Sequence, residues 1–280
     1  MKRILILDGY NLIYRARYSG MNRGDDSTVF NFFRGIRPLV EKFGPDVCYF
    51  VLEGRPVKRL AVDENYKGQR VYHNDDGFNG QRRKIIDFVR KYLPIVVARH
   101  EDYECDDVIN YLANVRHKNE KATIISSDTD FIQSINENCE LYNPIKKMFI
   151  EKFKYDYVSW KSLVGDKSDN IEGFKGIGNK RAVNLLLDKS KLNDFLSIKE
   201  NKEKFNKNSF MIAFHDLTNE SQNISYTLPN TFDWDTLKKE FIKLEFNSII
   251  GKDKTWEKYI NTFNLLERNI TNVYWNIIGQ

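Results

Sequence analysis

Ile4-Leu5-Ile6-Leu7-Asp8-Gly9-Tyr10-Asn11 opens the chain with a short apolar run that stops on a carboxylate. Four consecutive large aliphatic residues with no polar alternation read as a β-strand buried on both faces. The same figure recurs along the chain. Val47 to Leu52 runs into Glu53, Ile95 to Ala98 leads through a short loop to Glu104, Asp106 and Asp107, and Ala122 to Ser126 precedes Asp128 and Asp130. Between the first two runs, Val29, Phe33, Ile36, Val40 and Phe43 recur at helical spacing, with Ser27 as the expected N-cap and Gly44-Pro45 as the stop. Strands alternating with helical stretches predict an α/β unit with a mainly parallel sheet over residues 1–165.

In an open parallel sheet the ligand crevice lies outside the carboxyl ends of the strands, so this topology gathers seven acids on one edge. Taken singly, each has an ordinary explanation as a cap or turn residue, and Asp106 and Asp128 are both placed to cap a following helix. Capping does not predict acids at every strand end. Carboxylates crowded in this way need cations, and hard oxygen ligands suit Mg²⁺ or Mn²⁺. A pair of such ions supports phosphodiester hydrolysis without a histidine base. No nucleophile elbow, P-loop or dinucleotide glycine fingerprint points to other chemistry.

Composition fits this reading. Apolar residues make up 41% and charged residues 30% of the 280, a globular profile with no candidate membrane span. The N-terminal run is too short for a signal peptide. The three cysteines, Cys48, Cys105 and Cys139, form no CxxC pair, and the four histidines have no ligand spacing with them, which argues against disulfides and zinc. A reduced, cytoplasmic, monomeric protein is the expectation. The net charge of +5 is modest, but residues 55–91 hold ten basic against five acidic residues. This stretch interrupts the α/β alternation, contains the loop Asn74-Asp75-Asp76-Gly77 and becomes helical near Gln81. Such a long insertion is usually functional or disordered. After residue 165 the pattern turns helical, with Gly173, Gly176 and Gly178 closely spaced, then helices at Arg181 to Leu187 and Trp234 to Leu244. A second, helical unit over 166–280 is expected, with its last thirty or so residues packed rather than free. Its Asn- and Lys-rich composition suggests an AT-rich genome.

Six segments, in order, resemble the 5′-nuclease superfamily of flap endonucleases, polymerase I 5′-nuclease domains and phage 5′-3′ exonucleases. They are Ile-Leu-Asp8-Gly-Tyr-Asn, Leu-Glu53-Gly, Glu-Asn-Tyr66-Lys67-Gly-Gln-Arg70, Tyr-Glu104-Cys-Asp106-Asp107, Ser-Ser-Asp128-Thr-Asp130-Phe and Val-Gly-Asp166-Lys-Ser-Asp169 through Gly173, Gly176 and Gly178 to Lys180-Arg181. The resemblance covers most of the chain. It implies a PIN-like, mainly parallel sheet flanked by helices, a basic helical arch at about 55–91, and a C-terminal helical domain with a helix-three-turn-helix element that grips duplex DNA.

By the resemblance, Asp8, Glu53, Glu104, Asp106, Asp107, Asp128, Asp130, Asp166 and Asp169 bind two divalent ions directly or through water. Glu53 departs from the usual Asp and reaches one methylene further. Lys67 and Arg70, on the arch, are expected to act on the scissile phosphate, Tyr66 to stack on an unpaired base, and Arg15 to approach phosphates. Gly173, Gly176 and Gly178 would let backbone amides meet phosphates, aided by Lys180 and Arg181, with K⁺ as an optional ion there. The implied activity is that of a structure-selective 5′-3′ exonuclease or flap endonuclease in replication and repair, acting on DNA with 5′ ends, flaps or branches and on RNA–DNA primers. Two alternatives stand beside it: an RNA-cleaving PIN-type nuclease, against which the arch and the Asp166–Arg181 module count, and a non-catalytic DNA-binding accessory protein, against which the intact acidic set counts.

Overall fold

The computed structural model describes residues 1–19, 24–70 and 75–278, excepting the side chains of 265 and 268–278. Its strands are β1 (Arg3–Asp8), β2 (Val47–Val51), β3 (Val96–Arg99), β4 (Lys121–Ile125), β5 (Cys139–Asn143), β6 (Met148–Ile150), β7 (Gly165–Asp166), β8 (Ile171–Glu172) and β9 (Ser225–Thr227). Its helices are α1 (Gly9–Arg17), α2 (Ser27–Phe43), α3 (Val57–Val62), α4 (Asp76–Tyr92), α5 (Cys105–Tyr111), α6 (Tyr157–Val164), α7 (Asn179–Leu187), α8 (Lys189–Leu196), α9 (Lys199–Ile212), α10 (Trp234–Lys243), α11 (Asn247–Ile250) and α12 (Asp253–Ile278). No helix among the described residues is long and apolar enough to cross a membrane.

Seven strands form one sheet in the order β6-β5-β4-β1-β2-β3-β9. The central five pair in parallel, and β6 and β9 close the edges antiparallel. All four predicted strands are present. The aliphatic run of β1 is buried on both faces because it lies mid-sheet: Leu5 and Leu7 join the core on one side, Ile4 and Ile6 that on the other. Helix α2 begins at Ser27, with Asp26 rather than the expected Ser27 in the cap position, and Gly44 ends it at φ 47°. That left-handed backbone suits glycine. Helix α4 starts at Asp76, earlier than the expected Gln81, because Asp75 accepts a hydrogen bond from the Phe78 amide at 2.9 Å and caps it. Asn74 of the predicted loop lies outside the described residues.

Beyond residue 165 the elements pack in two ways. Only α6 to α9, with the small β7–β8 hairpin, form a helical layer of their own around Leu163, Ile177 and Ala182. The chain then returns: β9 joins the main sheet beside β3, and Leu237, Phe241, Trp256 and Phe263 share a core with Val29, Phe33 and Val89. Phe241 and Phe263 are fully buried there. Truncating either is expected to cost about 3–5 kcal/mol.

Candidate active site

Strand β1 lies between β4 and β2, where the strand order reverses and a crevice opens at the carboxyl ends. Asp8 closes β1 and caps α1, accepting from the Asn11 amide at 3.1 Å and from Ser126 Oγ at 2.7 Å. Glu53 follows β2 after Leu52. The adjacent Gly54 is required there, since a Cβ would stand 2.0 Å from the His100 carbonyl oxygen and 2.2 Å from that of Tyr103. Glu104 and Asp107 form a reciprocal capping box at the start of α5, which leaves Asp106 free to face outward. Asp128 caps the 3₁₀ turn Thr129–Ser134 by accepting the Asp130 amide at 2.9 Å.

A cavity of about 440 Å³ opens over these acids, lined by Asp106, Asp128, Asp130, Asp166 and Asp169, with Lys67, Arg70 and Lys161 among its other walls. Asp8 lies beneath it, almost fully buried. Burial pushes the Asp8 carboxyl up to about 7, with Asp128 and Glu53 adding to the push and the Ser126 and Asn11 hydrogen bonds opposing it. Burial raises Asp106 well above the usual range, reinforced by Asp128, Asp8 and Glu53, and it raises Asp128 and Glu53 as well. Among the described residues none of these four forms an ion pair; the neutral thiol of Cys105 donates to Glu53 at 3.1 Å and to Asp106 at 3.3 Å. Four acids pushed toward protonation, with hard oxygens and no ion pair among the described residues, suit a divalent cation by charge and donor type.

The remaining acids are already held by cations. The Lys67 ammonium contacts Glu104 and lies 3.8 Å from Asp169, while Arg70 Nη2 donates to Asp169 at 2.5 Å. Lys161 bridges Asp130 and, at 2.6 Å, Asp166. Burial disfavours the charged form of Asp166, but Lys161 and Ser168 outweigh it and hold the carboxyl below its ordinary value. No three His, Cys, Asp or Glu side chains among the described residues close on one point as a finished metal cage. Instead, the Lys67 ammonium lies between Glu104 and Asp169 and the Lys161 ammonium between Asp130 and Asp166.

Three of the expected site residues lie outside the open cavity. Asp107 is 0% exposed and makes a two-pronged ion pair with Arg59 at 2.7 and 2.9 Å, while also accepting the His215 amide at 2.8 Å; its oxygens point away from the cavity. Tyr66 offers no open face for a base: it is 6% exposed, and its hydroxyl lies 3.1 Å from both Glu104 and Asp169. Arg15 lines a different groove, with Lys42 and Tyr142, between α1 and α2. The Gly173–Arg181 segment lies beyond the β7–β8 hairpin. Gly173 packs against the end of α6, Gly176 takes φ 76°, and Gly178 begins α7 with no side-chain cap on its amides. Lys180 and Arg181 beside it are exposed.

Two residues of the site were not singled out from the sequence. Lys161 lies on α6, in no acidic motif, and nothing in its surroundings flags it. Arg59 was counted only within the basic stretch, yet it is 2% exposed and donates to Glu104, Asp107 and the carbonyls of Met211 and Ala213. It ties the base of the arch to α5 and to the end of α9.

The seven-stranded α/β sheet thus brings acids together at the switch point of its strand order, with Lys67 and Arg70 of the basic stretch beside them. The model of the 5′-3′ exonuclease N-terminal resolvase-like domain matches residues 3–162, and the chain belongs to that family. A 5′-3′ exonuclease of Aquifex aeolicus is 32% identical over 224 residues, covering 73% of this chain and 75% of that protein. The thermostable DNA polymerase I of Thermus filiformis is 30% identical over 201 residues, 66% of this chain but only 24% of the polymerase. Among solved structures, the bacteriophage T5 D15 flap endonuclease in complex with DNA and metal ions superposes with a TM-score of 0.64 at 17% identity, over 95% of this chain and all of that one. Human GEN1 bound to Holliday junction DNA gives 0.56 at 17% identity, over 95% and 73%.

Proposed function

We propose that this protein is a structure-selective 5′-nuclease that cleaves DNA at 5′ ends, flaps or branches, with Mg²⁺ as its ion and Mn²⁺ able to substitute. The observation that carries this reading is the set Asp8, Glu53, Asp106 and Asp128 at the strand ends, which forms no ion pair among the described residues and of which Asp106 and Asp128 line a cavity walled by further aspartates and by Lys67, Arg70 and Lys161. Divalent ions bound there supply charge stabilisation of the attacked phosphate and activation of water. The chain's residues do the rest. The four strand-end acids and Asp130, Asp166 and Asp169 supply oxygen donors. Glu104, tied to Arg59, Tyr66 and Lys67, holds the arch base against them. Lys67 and Arg70 sit at the cavity mouth, where cations stabilise charge developing on a phosphate. The open N-terminus of α7 with Lys180 and Arg181 takes the duplex backbone, K⁺ being optional there, and α6 to α9 act as the DNA-gripping layer. Backbone contact carries no sequence information, so selectivity lies in DNA structure and affinity falls steeply with salt. RNA–DNA primers, a monomeric state and a cytoplasmic setting complete the proposal.

Incubation of the purified protein with a 5′-flap duplex labelled on the flap strand, in Mg²⁺ and in EDTA, tests it. Metal-dependent products ending near the junction are expected. Tight binding with no cut in either Mg²⁺ or Mn²⁺ would favour a non-catalytic accessory protein and make Glu53 the first residue to restore to Asp.

A further inference from the structure

The acids of the site differ in who neutralises them. Glu104 is held by Lys67 and also by Arg59, and Asp169 by Lys67 and also by Arg70. Asp130 and Asp166 have a single cation among the described residues, the Lys161 ammonium, helped by the Tyr157 hydroxyl at 2.7 Å and by Ser168. The Lys161 side chain is only 12% exposed, yet it lines the cavity and comes from α6, an element separate from both acids' backbones. One positive charge shared by two carboxylates leaves the group net negative, so a divalent ion gains by replacing it. A four-carbon stem with a compact charge can swing into the cavity when displaced.

We propose that Lys161 is a resident counter-cation of the Asp130–Asp166 half of the site: a divalent ion enters that half only by displacing its ammonium, and the lysine thereby sets how much more weakly that half binds metal than the Asp8–Asp106–Asp128 half. The inference rests on the metal-dependent reading above. Ammonium and metal are then competing ligands of the same oxygens, and each weakens the other by the same factor. Lys161 is a positioning residue in this account, holding the second half of the site together until the ion arrives.

The test is Mn²⁺ titration of the full chain by calorimetry, wild type against Lys161→Met, which keeps most of the stem and loses the charge. Wild type is expected to show a tighter and a weaker class of site. In the variant the weaker class tightens by about five- to fiftyfold while the tighter class stays put. The metal-free variant melts lower than wild type and gains more in Tm from saturating Mn²⁺. Should the variant fail to fold without its counter-charge, amine labelling of wild-type Lys161 read by mass spectrometry replaces it: slow labelling in EDTA and faster labelling in saturating Mn²⁺ are expected. An unchanged or weakened second class, or labelling that ignores Mn²⁺, overturns the inference alone. A wild-type protein that takes up no Mn²⁺ overturns the metal reading and this inference with it.

Discussion

Asp106 and Asp107 are consecutive residues at the start of one helix, and they stand for two regions with opposite electrostatics. Asp106 faces the cavity with other carboxylates and forms no ion pair; Asp107 gives its oxygens to Arg59 and backbone amides. The first region is poised for an absent positive charge, at a cost in metal-free stability. The second has its charge built in and stabilises the fold. Removing a charge should therefore do opposite things in the two places, which is how the comparison can be broken.

The largest effect is expected for Asp128→Asn with Asp130→Asn, which should reduce flap cleavage by at least about a thousandfold while leaving DNA affinity nearly unchanged. Substantial cleavage by the double variant would remove both residues from the reactive site. Arg59→Ala should cost about 3–5 kcal/mol in urea unfolding, because it leaves Glu104 and Asp107 buried, with Asp107 lacking any cation. A loss below 1 kcal/mol would show that the hub is no structural anchor. Lys67→Ala should lower kcat by about a hundredfold with little change in affinity; equal losses in both would reduce Lys67 to a plain phosphate contact.

The smallest effect is a pH dependence that separates the two regions. The folded protein keeps a proton on Asp8 up to about 7, whereas the unfolded chain releases it near the ordinary value of 3.8. Stability contributed by this residue in EDTA is thus full below the ordinary value and is lost as pH rises through about 7. Asp8→Asn should flatten that slope in metal-free urea melts between these values, and Mg²⁺ should flatten it in wild type. An identical slope in Asp8→Asn would place the titration elsewhere.

Much of this was legible in one dimension. An aliphatic run ending in an acid, repeated four times, is a local pattern, and a parallel sheet converts it into a shared edge without further information. Helix α2 and its Gly44 stop follow from spacing and backbone preference in the same way. The edge strands β6 and β9 were not legible, because three-residue, largely exposed strands carry no strong period, nor was β5, whose Cys-Glu-Leu-Tyr-Asn is not an aliphatic run, and the return of α10 to α12 onto α2 and α4 depends on contacts far apart in the chain. Tyr66 and Asp107 show why motif membership does not fix a role: their neighbours in the chain face the cavity, while the turn geometry rotates these two inward.

By itself, the sequence determined that a cluster of acids would meet at the carboxyl ends of a parallel sheet beside a basic insertion, because strand direction and crossover topology are set by local apolar patterning. Only the tertiary structure decided which acids stay unpaired. That choice depends on where Arg59, Lys67 and Lys161 reach from other elements, and the free energy of a buried charge is settled by its neighbours in space.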